Sequence, residues 1–269
     1  MDLRGASADS LRELAAELGE ALRPGEHAER VSRELYNVSS LLRSEPALRR
    51  FATDASLPAD AKKGLVQQVF AGKLDDATLA LVTSAAGRRW TSARDLANAV
   101  ERLSEIAAVT SVGTDASTLV DELFALGQML VANPDLRDGL ANPARSTEDK
   151  AALLDSLLGG KVLPATLALA TQALRGTYGT LTGALATYRQ VAAEASGEAV
   201  ATVRVVKSLS DADRERLAAA LSQQYGKQVH LNEIVEPGVL GGMRVEIGDD
   251  VIDGTVSSRL DDARRKLVG

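Results

Sequence analysis

The sequence predicts a mainly α-helical protein, two tandem all-helical bundles followed by a small α+β domain of order β-α-β-β-α. Three observations predict it. Apolar residues recur at helical spacing through the first two-thirds of the chain, and strand-like alternation is missing there. A block of this helical region recurs 88 residues further on. Near Ser196-Gly197 the period changes, and β-branched residues begin to alternate.

Leu11, Leu14, Ala15 and Leu18 share one helical face, and Pro24-Gly25 stops that segment. A second helix runs from about Glu26 to Arg43, with Val31, Leu35, Val38 and Leu42 inward. Pro46 opens a short helix, because proline is tolerated at the first helical position. Pro58 opens another, carrying Leu65, Val69 and Phe70, and Asp75 or Asp76 caps the next, through Leu79 and Val82. A long amphipathic helix then runs from about Ser92 to Ala108, with Leu96, Val100, Leu103 and Ile106 inward.

At an offset of 88, Pro46 falls on Pro134 without a gap. Leu35 meets Leu123, Arg49 meets Arg137, Lys62 meets Lys150, and Gly72-Lys73 meets Gly160-Lys161. The run 77–81 is identical to 165–169, and Trp90 meets Tyr178. Matching prolines and glycines mark loops, which two merely alanine-rich stretches would not share. The expected domains are a first bundle at 1–112, a second at 113–195 and the α+β domain at 196–269.

In the last of these, the alternating run from Val200 to Val206 reads as a strand. Ser210-Asp211-Ala212-Asp213 resembles a capping box, and the helix runs to Tyr225, with Gly226 at the left-handed cap. Val229 to Val235 is a second strand, Pro237-Gly238 a turn, Met243 to Ile247 a third strand and Val251-Ile252 a candidate fourth. From Thr255 the chain returns to helix, with Val256, Leu260, Ala263 and Leu267 on one face.

Composition narrows the function. With 31 Lys+Arg against 37 Asp+Glu and 3% aromatics, a basic, base-stacking nucleic-acid surface is not expected. The absence of cysteine removes thiol chemistry and Cys-based zinc sites, and two histidines leave little material for a metal centre or a triad. The start of the sequence has no signal-peptide pattern, and the charge-free run from Val162 to Leu174 is short of the roughly 20 residues of a membrane span. No direct membrane insertion is expected.

Motifs with chemical potential each have a plainer reading. Gly72-Lys73 and Gly160-Lys161 lack the remaining residues of a phosphate loop and follow helices, so they read as helix C-terminal turns. Asp249, Asp250 and Asp253 are spaced for a Mg²⁺–polyphosphate site. Lying between strand-like segments, however, they point to opposite faces and read as an acidic hairpin that protects a sheet edge. Arg88-Arg89-Trp90 is spaced to stack on a base, yet Trp90 reads as packing into its own bundle because Tyr178 takes the equivalent place. Arg264-Arg265-Lys266 suits a helix C-terminus. His230 reads as a half-buried strand residue and His27 as a helix-start residue, neither with a recognisable carboxylate partner. No catalytic, cofactor-binding or metal-binding residue is assigned.

The most specific pattern is C-terminal. Glu236-Pro237, Leu240-Gly241-Gly242, an alternating strand, Gly248-Asp249, Ile252-Asp253-Gly254-Thr255 and Arg259-Leu260 follow one another in order. The glycine pair requires positive φ or a close backbone approach. This pattern resembles the C-terminal signature of the delta subunit family of F-type ATP synthases, the bacterial counterparts of the oligomycin-sensitivity-conferring protein. Thr255 stands for the family's Ser, and Glu236 for its Asp. Leu209-Ser210 and Tyr225-Gly226-Lys227 match upstream, and Asn133-Pro134-Asp135-Leu136, Asn142-Pro143 and Lys150 match in the second bundle. The usual member has one bundle; a duplicated one looks like the actinobacterial branch.

The resemblance implies a non-catalytic peripheral-stalk subunit without a cofactor, on the cytoplasmic face of the cell membrane as part of the complex. It would link the catalytic head to the membrane-anchored b-type stalk so that proton-driven rotation is coupled to ATP synthesis. In the family a bundle groove takes up the N-terminal helix of an alpha subunit, and the C-terminal domain meets the b-type helices. The residues that carry the signature here are Pro237, Leu240, Gly241, Gly242, Gly248, Asp249, Ile252, Asp253, Gly254, Arg259 and Leu260. Two alternatives come from other classes. One is a helical RNA-binding, antitermination-like adaptor, which acidity and few aromatics disfavour. The other is a Mg²⁺-dependent polyphosphate enzyme using Asp249, Asp250 and Asp253.

Overall fold

The computed structural model describes residues 3–175, 177–195, 198–236, 241–248 and 250–254. The chain folds as two compact units, Met1–Val191 and Ala192–Gly269. The first unit is built from α1 (Ala6–Ala21), α2 (Glu26–Ser44), α3 (Pro46–Thr53), α4 (Ala59–Phe70), α5 (Asp76–Gly87) and α6 (Ala93–Ser111). These are followed by α7 (Ala116–Ala132), α8 (Pro134–Ala141), α9 (Thr147–Leu158), α10 (Pro164–Ala173) and α11 (Leu181–Ala195), whose residues 192–195 fall in the second unit.

The local chemistry behind these elements is the one the sequence announces. Pro46 and Pro134 open α3 and α8 at the first helical turn. Asp75 caps α5 by accepting from the Ala77 amide at 3.0 Å. Ser92 and Asp95 form a full capping box at α6, satisfying amides that would otherwise lack partners. Gly72 and Gly160 take φ of 70° and 71°, in the left-handed region where glycine avoids the Cβ clash.

The repeat is structural as well as sequential. Helices α8 and α9 begin and end 88 residues after α3 and α4, and α10 and α11 begin 88 residues after α5 and α6. Hydrogen bonds recur at the same offset. The Glu34 carboxylate accepts from the Asp75 amide at 2.9 Å, and the Glu122 carboxylate accepts from the Leu163 amide at 2.9 Å. Lys73 Nζ donates to the Val69 carbonyl, and Lys161 Nζ to the Leu157 carbonyl. Lys62 and Lys150 are both buried.

At this offset α1 falls onto α6, while α6 itself falls onto α11. One helix therefore ends the first copy and begins the second. Its burial shows the double use: Leu96, Val100, Leu103 and Ala107 are buried, and so are Glu101, Ser104, Glu105 and Ala108. The sequence reading of α6 as amphipathic is corrected here. A one-sided helix keeps its carboxylates in water, whereas Glu101 and Glu105 are each at most 1% exposed. Ile106, expected inward, is only half-buried.

In the second unit β1 (Ala199–Val205), α12 (Asp211–Tyr225), β2 (Val229–Val235), β3 (Met243–Ile247) and β4 (Asp250–Asp253) follow in order. The sheet order is β2-β1-β3-β4, with β1 and β2 parallel across the α12 crossover and the other pairs antiparallel. Ala201, Val203, Val205, Val229, Val245 and Ile247 form its core with Leu221 of α12. Ser210 caps α12 by accepting from the Asp213 amide, and Gly226 ends it at φ 65°. The Pro237-Gly238 turn and the helix expected from Thr255 lie outside the described residues.

Truncation of the shared helix separates the two units. Leu103→Ala should cost the helical unit about 2–5 kcal/mol, since Leu103 is fully buried. Hydrogen exchange should show its amides losing protection while those of β1 to β3 keep theirs.

Candidate functional site

The motifs weighed for chemistry in the sequence make the following contacts. Gly72-Lys73 and Gly160-Lys161 form the turns after α4 and α9, where each lysine donates to a carbonyl of the helix it follows. Arg88 is held in ion pairs by Glu13 and Glu17 of α1. Trp90 packs against the core of the first copy and donates from Nε1 to the Ala85 carbonyl at 2.9 Å. Neither is presented to a base.

His27 corrects the sequence reading, because it does have a carboxylate partner. Its Nε2 lies 3.0 Å from Asp75 Oδ1, across 48 residues of sequence. That hydrogen bond, with further help from the Ala77 amide and Arg30, holds the Asp75 carboxyl below its ordinary range. A contact over such a separation leaves no local pattern. His230 is half-buried.

Of the C-terminal signature, Gly241 and Gly242 have φ of 75° and 83° and lead into β3. Gly248, at φ 56°, turns β3 into β4. The Gly254 amide donates to the Met243 carbonyl at 2.9 Å, and a Cβ there would stand 3.3 Å from that oxygen. Ile252 and Asp253 lie on β4, every residue of which is exposed. Asp250 accepts a hydrogen bond from the Tyr225 hydroxyl at 3.2 Å. Pro237, Leu240, Asp249, Arg259 and Leu260, like Arg264-Arg265-Lys266, lie outside the described residues. The glycines shape a β-ribbon rather than a pocket. Among the described residues no group of three His, Asp or Glu side chains is arranged to hold a metal ion.

The sequence missed the polar cluster where the two copies meet. Glu101 pairs with Arg43 of α2. Glu105 pairs with Arg102 at 3.0 Å and accepts from the Tyr178 hydroxyl. Tyr178 stands edge-on to Tyr188, with ring centres 5.6 Å apart. The Tyr36 hydroxyl donates to the Gln172 carbonyl at 3.3 Å, and the Arg175 guanidinium lies 5.4 Å from the Tyr36 ring centre. Burial pushes the Glu105 carboxyl up to about 7, against the opposing pull of Arg102 and Tyr178. Burial likewise raises Tyr36 to about 12 and lifts the Tyr178 and Tyr188 hydroxyls further.

One signal existed for this cluster. Laid over α1, α6 puts Glu101 and Glu105 on Glu13 and Glu17, the carboxylates that grip Arg88 in the first copy. Trp90 and Tyr178 match in sequence but differ in their hydrogen bonds, since Trp90 donates to the Ala85 carbonyl and Tyr178 to Glu105 of α6. Beside the cluster, α2, α6 and α10 enclose a cleft of about 230 Å³ lined by Ser32, Tyr36, Ala108, Ala168 and Gln172. A second groove, of about 130 Å³, lies between α7 and α11. Clefts between helices with mostly apolar walls are a known way to take up an amphipathic helix.

The family profile described as ATP synthase delta (OSCP) subunit matches residues 8–114 and again residues 106–267. The two matches overlap at the end of α6. A protein of Nocardioides sp. called ATP synthase subunit delta is 51% identical over 99% of this chain and 98% of its own length. Proteins of the same name from Thermobifida fusca and Kineococcus radiotolerans are 36% and 40% identical, over 99% and 91% of this chain and 100% and 90% of their own.

The buried carboxylate gives stability a pH dependence of defined sign. Glu105 binds its proton more tightly folded than unfolded, so its contribution is full below about 4.5 and is lost as pH rises through about 7. Denaturant titrations from pH 4 to 8 should show Glu105→Gln removing this slope. The variant should gain about 1–3 kcal/mol on the wild type over that interval.

Proposed function

The chain belongs to the ATP synthase delta (OSCP) subunit family, and from that premise we propose how it joins its partners. As a member it is a peripheral-stalk subunit of the F-type ATP synthase, a structural part of a membrane-associated complex. No helix among the described residues is long and apolar enough to cross a membrane. A stator must keep the catalytic ring from turning with the rotor, a mechanical task that needs durable contacts at two ends.

In our reading a helical bundle receives the N-terminal helix of an alpha subunit in a groove, and the C-terminal unit meets the ends of the b-type helices. The chain works at the cytoplasmic face of the cell membrane and is not itself an enzyme. Its domains are the first bundle at 1–112, the second at 113–195, which α6 of the first completes, and the α+β domain at 196–269, which carries the signature residues from Pro237 to Leu260. The profile that matches twice supports the duplication most directly. Two contacts on one chain raise the effective concentration of each, so that neither end needs extreme affinity.

The predicted phenotype separates the two ends. At φ 83° a β-branched residue is an outlier, so Gly242→Val should cost the C-terminal unit more than about 1 kcal/mol. The variant should still bind the catalytic head in a pull-down but fail to bind the b-type stalk. Retained stalk binding would refute the role given to that unit, and loss of head binding alone would mean the ends are reversed.

The pure chain should show no ATP turnover. A tagged chain should co-purify from membranes with alpha and b-type subunits. Turnover abolished by changes at Lys161 or Asp249 would overturn the reading, as would co-purification with RNA in their place.

A further inference from the structure

The face of the first copy that meets the second copy recurs, uncovered, on the second copy. In the first copy this face belongs to α2 and α6. Tyr36 is bonded to Gln172 and covered by Arg175, while Ser39 and Glu101 are each 1% exposed. The residues 88 positions on lie along the groove between α7 and α11. Phe124 stands for Tyr36, Gly127 for Ser39, Val131 for Arg43 and Arg189 for Glu101.

The exchange leaves two unmet demands. Val131 is 62% exposed, although the groove continues the apolar wall of the bundle. Arg189 lies over the Phe124 ring, 5.0 Å from its centre, and its Nη1 is buried with no hydrogen-bond partner among the described residues. In the first copy the charged residue at this place has its counterion, because Arg43 faces Glu101. With Val131 at the position of Arg43, no acceptor for Arg189 Nη1 stands among the described residues of the second copy. A buried charge is tolerated when a counterion reaches it, and a docking partner can supply one.

We propose that the α7–α11 groove docks an amphipathic helix of a partner protein, laying an aliphatic stripe along Phe124 and Val131 and presenting a carboxylate to Arg189. The internal repeat supplies the class of occupant, since the equivalent face of the first copy is met by a helical segment, α10 with Arg175 behind it. A single cation in an apolar trough selects one carboxylate, whereas a nucleic acid would need several cations. The inference deepens the reading of the chain as a joint between subunits and rests on it.

The test places the photocrosslinker p-benzoylphenylalanine at Ala186, an exposed residue on the groove rim, in the full chain within the assembled complex. The expected result is an adduct, identified by peptide sequencing, to a helical segment with an acidic residue in its apolar stripe. Its yield should be retained in Arg189→Lys and fall at least tenfold in Arg189→Glu. Val131→Asp, at an exposed position, should lower it as well and covers the case in which Arg189→Glu does not fold.

A chain that co-purifies with the complex but gives no adduct overturns the docking site and leaves the stalk assignment intact. So does an adduct to lipid or to a second copy of this chain, or one indifferent to the charge at 189. If the chain does not co-purify, the stalk assignment fails. The groove is then decided on the purified chain, with two synthetic amphipathic helical peptides differing only by Glu or Lys in the stripe. Equal binding of the two, or none, overturns it.

Discussion

Helix α6 is the constraint on which the helical unit depends, because one segment must complete two bundles at once. An ordinary surface helix buries one stripe and leaves the rest to water. Here α6 closes the first copy against α2 and opens the second against α10, so nearly its whole circumference is enclosed. Its alanines, Ala97, Ala99, Ala107 and Ala108, let neighbouring backbones approach from several sides. Two complete bundles joined by a linker would move independently. Sharing a helix leaves no linker to flex, and both copies fall within one compact unit, Met1–Val191. For a part that resists torque, that stiffness is what the fold contributes.

The same sharing explains the buried charges. Glu13 and Glu17 on α1 sit at the outside of the unit and meet Arg88 with water nearby. Their counterparts Glu101 and Glu105 have a second copy packed over them and need partners drawn from both sides, Arg43 from the first copy and Tyr178 from the second. Removing one partner from such a pair leaves a buried charge, which is costlier than the pair was worth. The contact between copies is thereby specified by polar geometry as well as by apolar area. Duplication also alters what each copy can offer a partner, because the second copy covers a face of the first while Val131, at the matching place on the second, stays exposed.

The C-terminal unit follows different rules. Its sheet is small, and its edge strand β4 is short and fully exposed, with Asp250 and Asp253 at its ends. Charges at an edge hinder unwanted strand pairing. Three glycines with positive φ, Gly241, Gly242 and Gly248, set the path of β3 and β4 in backbone conformations that other residues rarely adopt. Such a unit tolerates little substitution at its turns, which accounts for a signature made largely of glycines and their neighbours.

The sequence by itself determined the helices, their caps, the repeat, the strands and the family. Each is written in residues close together or at a fixed spacing: Pro46 and Pro134, the box at Ser210, the β-branched alternation from Val200, the glycine pair. Helical and strand periodicities are local properties of the backbone, so a linear reading reaches them. Only the tertiary structure decided that α6 belongs to both copies, that Glu101 and Glu105 are inside, that His27 meets Asp75, and that Arg189 lies over the Phe124 ring. Each depends on segments 40 or more residues apart meeting in space. A glutamate on a helix looks the same in sequence whether water or another bundle lies over it, because burial belongs to the packing and not to the residue.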